Sequence, residues 1–128
     1  VHGHEVGNIA LSHISDLIRK AIRRLDIPCR YGGEEFTLIL PDTTLEQGIR
    51  FANRLRVIIE NTPVQTLSMQ LEIGASFGVD VYSRGDQISE KEFVEKVDGF
   101  LYLAKQEGRN QVCHEKPEKM KDGALSRI

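Results

Sequence analysis

Glu34 and Glu35 stand side by side behind two glycines, in the run Arg30-Tyr31-Gly32-Gly33-Glu34-Glu35-Phe36. Adjacent carboxylates repel each other unless a cation or a proton comes between them. The pair is therefore a candidate metal site, and two acids held only by water are the alternative. Glycine supplies the positive φ that a tight hairpin turn requires, and its missing side chain lets a ligand approach the backbone. Lys105 and Arg109 are four apart, a spacing that puts both cations on one helix face. Two basic residues near a helix C-terminus complement its negative end and need no ligand. Arg23 and Asp26 are three apart. From the residues alone they form a helix-terminal ion pair worth ~0–1 kcal/mol if exposed.

The elements that must carry these residues are readable from periodicity. Val6, Ile9, Ala10, Leu11, Ile14, Leu17, Ile18, Ala21, Ile22 and Leu25 recur at helical spacing, predicting an amphipathic helix from Glu5 to Leu25. Its end is basic, with Arg19, Lys20, Arg23 and Arg24. Ile27-Pro28 stops it. A first strand around Cys29–Tyr31 and a second over Phe36–Leu40 make a hairpin with Gly32-Gly33 at its tip. Pro41-Asp42-Thr43-Thr44 reads as a turn and N-cap, with Gln47 completing a capping box. Leu45, Ile49, Ala52, Leu55 and Ile59 then mark a helix ending near Asn61. From Met69 to Val81 apolar and polar residues alternate, which predicts a long strand or strand pair with one buried face. Ser89 and Glu92 form a second capping box, opening a helix with the core stripe Phe93, Val97, Phe100, Leu101 and Ala104 that ends at Gly108. Asn110–His114 is a short last strand. From Glu115 onward the chain is charged and aperiodic, a frayed tail. The order helix, hairpin, helix, strand, helix, strand predicts an α+β fold with helices over a mostly antiparallel sheet.

At 128 residues with 40% apolar content, the chain is one domain with a real core. We divide it into a domain over 1–114 and a tail over 115–128. No run approaches the ~18 apolar residues of a membrane span, and the start lacks a signal pattern, so the expected location is cytoplasmic. A net charge of −2 argues against a general nucleic-acid or anionic-membrane surface, while leaving room for a local cationic pocket. Cys29 and Cys113 match no zinc or redox spacing and are expected to be buried free thiols.

Taken together and in order, Arg30 to Phe36, Ala75-Ser76-Phe77-Gly78-Val79, and the block Asp98 to Asn110 resemble the GGDEF family of diguanylate cyclases. The likeness covers Gly3 to about Val112. It implies a palm or ferredoxin-like fold similar to nucleotidyl cyclases, and condensation of two GTP molecules to cyclic di-GMP with loss of two pyrophosphates. The resemblance further implies a homodimer, each half holding one GTP and Mg²⁺ (or Mn²⁺). It makes Glu35 a metal ligand, and Glu34 a second ligand or the group nearest the ribose 3′-hydroxyl. Gly33, Lys105 and Arg109 would contact substrate. Arg23-Arg24-Leu25-Asp26, five residues before Gly32, matches the family's inhibitory product site for cyclic di-GMP, and Arg54 would supply its partner surface.

The likeness is incomplete. Gly3-His4-Glu5-Val6-Gly7-Asn8 matches the family's Gly-His-x-x-Gly-Asp except that Asn8 replaces the Asp that reads guanine. Asn8 keeps one acceptor oxygen and exchanges the other for a donor. The family's preceding strand, with its metal-binding Asp, is not in these residues. We therefore expect an N-terminally incomplete sheet, little turnover by these residues alone, and a longer parent protein with a sensory or receiver domain upstream. The alternative function is a catalytically idle domain that senses cyclic di-GMP.

Overall fold

The computed structural model describes residues 3–31 and 34–115. They form an α+β fold in the order α1 (Gly3–Ala21), β1 (Ile27–Tyr31), β2 (Glu35–Ile39), α2 (Leu45–Glu60), β3 (Val64–Gln65), β4 (Gln70–Leu71), β5 (Phe77–Val79), α3 (Glu90–Gln106) and β6 (Val112–His114). Two compact units result, one from Val1–Asp42 with Val57–Ile73 and the other from Thr43–Arg56 with Gly74–Ile128. Among the described residues no helix is long and apolar enough to cross a membrane. The expected tail falls almost wholly outside the described residues, which stop at Glu115.

In the first unit, β1 and β2 pair antiparallel from Ile27 with Ile39 to Tyr31 with Glu35. α1 is shorter than its apolar period predicts, ending at Ala21 rather than Leu25. The physical reason is local competition for one donor. The Arg23 amide, which would continue the helix by bonding the Arg19 carbonyl, donates instead to Asp26 Oδ2 at 2.7 Å. Asp26 N–H then closes the turn onto the Arg23 carbonyl at 3.1 Å, and the residue before Pro28 is already in β1. A second antiparallel pair joins β3 to β4, Val64 opposite Leu71. Its turn is tied by Thr66, whose hydroxyl accepts from the Met69 amide at 3.0 Å. α1 packs on β3, and His13 Nε2, carrying the hydrogen because a carbonyl can only accept, donates to the Thr62 oxygen at 2.8 Å. Ile18, Ile59 and Val64 are buried here.

In the second unit, β5 and β6 pair parallel, Phe77 opposite Val112 and Val79 opposite His114, with α3 as the crossover between them. The expectation of a mostly antiparallel sheet therefore holds for the two hairpins and fails for this pair. Both predicted capping boxes are present. Gln47 N–H donates to Thr44 Oγ1 and Thr44 N–H to Gln47 Oε1, and Glu92 and Ser89 exchange the same two bonds at the start of α3. The long alternating stretch keeps its period-two burial from Met69 to Ala75, yet only its ends are paired, in β4 and β5. Alternation selects a face, but a strand also needs a partner for its backbone groups. Leu55, Ala104, Val112 and Cys113 are almost fully buried. Cys29 lies exposed on β1, against the expectation of two buried thiols, and both cysteines are free.

Gly78 sets how closely α3 approaches β5. A Cβ there would fall 2.4 Å from both Leu101 N and Val97 O, which are backbone atoms that cannot rotate away. A Cβ on Gly48, within α2, would meet Val79 Cγ1 at an ordinary 3.4 Å. Gly78→Ala is accordingly expected to destabilise by about 1–3 kcal/mol through overpacking, whereas Gly48→Ala is expected to fall between neutral and ~1 kcal/mol stabilising through helix propensity. Urea titrations of both variants check the contrast.

Candidate functional site

Arg23 and Asp26 are the most fully built pair. Asp26 sits in the turn after α1 with its side chain 2% exposed, while Arg23 is 47% exposed. Arg23 Nη2 donates to Asp26 Oδ1 at 2.7 Å, and Nε lies 3.1 and 3.2 Å from the two carboxylate oxygens. The same Nη2 reaches the Pro41 carbonyl at 2.7 Å, beyond the end of β2. The guanidinium hydrogen bonds hold the Asp26 carboxyl below the usual range, against the opposing effect of burial. The Asp26 carboxylate in turn pushes Arg23 upward. The pair is thus more than an exposed surface bridge.

The glutamates lie at the other end of the hairpin. β1 and β2 close at Tyr31 opposite Glu35, so residues 32–34 make the connection. Glu34 is exposed, and Glu35, the first residue of β2, is half-buried. Gly32 and the predicted substrate contact Gly33 lie outside the described residues. Among the described residues no group of three His, Cys, Asp or Glu side chains could hold a metal.

Lys105 is in the last turn of α3, but Arg109 is not on that helix. The expectation that their spacing puts both on one helix face is overturned. Gly108 (φ +114°), Arg109 (+63°) and Asn110 (+49°) follow one another in the left-handed region. The Arg109 amide donates back to the Ala104 carbonyl at 2.9 Å, the six-to-one bond of a Schellman ending. Asn110 N–H donates to Ser76 Oγ at 3.0 Å, fixing the departing chain beside the residue that precedes β5. Gly108 was legible as a helix stop; a left-handed Arg109 was not, because a long side chain seldom enters that region, whereas Asn110 is of a type that does so more readily.

Asn8 is exposed on α1 at an open groove of about 730 Å³ whose other lining includes Ile9, Ser12, His13, Asp16, Pro63, Val64 and Gln65. Sequence reasoning had named only Asn8. The signal for the remainder was present in the polar spacing of residues 8, 12 and 16, one helical turn apart each. Arg54 is exposed on α2 with its guanidinium 5.4 Å from the Phe51 ring centroid, a cation–π contact within its own helix. One charged cluster had no sequence signal. Lys96 Nζ lies 3.1 Å from both Asp80 Oδ2 and Glu115 Oε2, and the Asp80 side chain is only 4% exposed. The Glu115 carboxylate, and after it that of Asp80, accept from the Lys96 ammonium and raise its pKa.

A family model described as "Diguanylate cyclase, GGDEF domain" matches residues 1–111. The response regulator PleD of Caulobacter vibrioides is 34% identical over 112 residues, which is 86% of this chain and 24% of that protein. This chain thus spans about a quarter of the length of that relative. Among solved structures, diguanylate cyclase SiaD in complex with its activator SiaC, from Pseudomonas aeruginosa, matches with a TM-score of 0.81 at 30% identity, covering 88% of this chain and 43% of that one. The GGDEF domain of DgcB from Caulobacter crescentus, in complex with cyclic di-GMP, matches with a TM-score of 0.77 at 27% identity over 88% and 64%.

The Arg23–Asp26 pair also predicts how the domain responds to acid. Because the folded pKa of Asp26 lies below its unfolded value of about 3.9, its stabilisation is complete above that value and is lost as pH falls through the folded one. Asp26→Ala is expected to cost about 1–3 kcal/mol at neutral pH, and Asp26→Asn to flatten the acid limb of the melting-temperature profile. Melting curves between pH 2 and 7 (about the span of a carboxylate titration) compare the two with the parent chain.

Proposed function

Since the chain belongs to the GGDEF family of diguanylate cyclases, we propose that it is the catalytic domain of a protein that condenses two GTP molecules to cyclic di-GMP, and that it binds its own product at Arg23 and Asp26. The observation that carries the product site is the Arg23–Asp26 pair, a guanidinium and a carboxylate joined by three contacts. Guanine O6 and N7 can accept from the guanidinium edge, and N1–H and the 2-amino group can donate to Asp26. Arg54 from a second copy would close over the bound product.

For synthesis, each half of a homodimer would position one GTP. Asn8 would face the base, while Lys105 and Arg109 would neutralise the triphosphate from two independently anchored positions. Glu34, exposed on the hairpin turn, would serve either as a second metal ligand or as the group that accepts the proton of the ribose 3′-hydroxyl as that oxygen attacks the α-phosphorus of the other GTP. Pyrophosphate leaves. Glu34 and Glu35 would offer the hard carboxylate oxygens that Mg²⁺ takes. When bound there, the cation would offset phosphate charge in the transition state.

A second reading is a domain that binds cyclic di-GMP without making it. The residue that favours it is Asn8, whose amide cannot accept from both guanine donors. The two readings separate by experiment. With GTP and Mg²⁺, chromatography is expected to show cyclic di-GMP from the parent protein, and Glu35→Gln to reduce turnover by at least about 100-fold, the scale for removing a charge from a phosphoryl-transfer site. No product from the parent protein leaves the second reading. In calorimetric titration with cyclic di-GMP, Arg23→Ala is expected to weaken binding at least about tenfold. Unchanged affinity would remove the product site from this pair.

A further inference from the structure

Arg109 is held in its left-handed conformation from both sides. Its own amide donates to the Ala104 carbonyl at 2.9 Å, which fixes the peptide on its N-terminal side. The peptide on its other side carries the Arg109 carbonyl and the Asn110 N–H in one plane. That carbonyl accepts from Gln111 Nε2 at 3.3 Å, and that N–H donates to Ser76 Oγ at 3.0 Å. Gln111 Nε2 also reaches the Glu107 carbonyl at 2.8 Å, so one side-chain amide spans the turn. Ser76 stands 34 residues upstream of Asn110, directly before β5, and the Phe77 amide beside it donates to the Gln111 carbonyl at 2.9 Å. With both flanking peptides tied, φ and ψ of Arg109 are set, and so is the direction in which its side chain leaves the backbone. Lys105 needs no such device, because α3 itself directs it.

We infer that Ser76 and Gln111 are positioning residues, which aim the Arg109 guanidinium at the triphosphate by fixing the peptide that follows it. This rests on the reading of Arg109 as a phosphate contact, and it adds the two side chains that set its direction. Arg109 is exposed, and its long side chain has many rotamers to lose when it grips an anion. A fixed starting direction narrows the space that the guanidinium samples, so less freedom is lost on binding. The backbone explains why side chains are needed. Arginine seldom enters the left-handed region, and at φ +63° it stays only where surrounding bonds outweigh the cost. Ser76 and Gln111 act through position 109 without touching the ligand.

The test is calorimetric titration of the parent protein with α,β-methylene GTP and Mg²⁺, a nucleotide that cannot release pyrophosphate. Arg109→Ala is expected to weaken binding about tenfold to a hundredfold, the scale of a hydrogen bond to a charged group. Ser76→Ala and Gln111→Met should each weaken it about threefold to tenfold, the scale of one neutral hydrogen bond. Ser76→Thr, which keeps the oxygen, should retain the parent affinity. Placed on top of Arg109→Ala, Ser76→Ala should cost less than about twofold more, because the group it aims is gone. Melting curves establish that each variant is folded, and Gln111→Met tests the same peptide from its other end should Ser76→Ala fail to fold. Full affinity in both Ser76→Ala and Gln111→Met, or an equal loss from Ser76→Ala with and without Arg109, overturns the inference and spares the proposed function. Unchanged affinity in Arg109→Ala removes the phosphate contact on which the inference rests, and the inference with it.

Discussion

The turn after α1 depends on one ion pair. Arg23 and Asp26 end the helix, because the amide that would have continued it is taken by the carboxylate. They also fix the chain's direction into β1. Through the Pro41 carbonyl, the same guanidinium holds the segment that leaves β2, so both open ends of the hairpin are tied to one side chain. The opposite end of that hairpin carries Glu34 and Glu35. A local contest between backbone and side-chain acceptors at position 23 thereby determines where two acids are presented several residues away. The same atoms form the proposed product site, which makes ligand binding and helix termination compete for one set of hydrogen bonds.

The second unit relies on close approach rather than on charge. With no side chain at Gly78, backbone atoms of α3 come within van der Waals distance of β5, and a parallel crossover is completed with only three residues in each strand. Short strands give few ladder bonds, so the helix cover supplies much of what holds them. Lys96 adds an ionic tie on the same helix, joining Asp80 just past β5 to Glu115 just past β6.

Much of this was legible in the chain and some was not, for reasons that differ by residue. Capping boxes at Thr44 and Ser89 are short-range and were read correctly, since the donors and acceptors lie within three residues of each other. Helix α1 was overextended because Ile22 and Leu25 continue its apolar period, and hydrophobic spacing does not register a carboxylate that captures an amide. The alternation from Met69 to Val81 reported burial correctly only as far as Ala75, and its pairing incorrectly. Family, fold class and the order of the motif blocks were recoverable because those blocks are contiguous. The groove lining was not, because Pro63, Val64 and Gln65 meet α1 only through the folded path of the chain. The Asp80–Lys96–Glu115 cluster was invisible for the same reason.

Position 109 illustrates a tension that evolution and protein engineering would resolve differently. An arginine at φ +63° occupies a region that costs a non-glycine L-residue roughly 1 kcal/mol. Glycine would relieve that strain while keeping the amide that caps α3. A screen that rewards only heat resistance would therefore drift toward glycine at this site and discard the guanidinium proposed above for the triphosphate. On that reading Arg109 is a place where the most robust sequence and the most useful one would diverge, and a library selected for expression alone would be expected to lose it early.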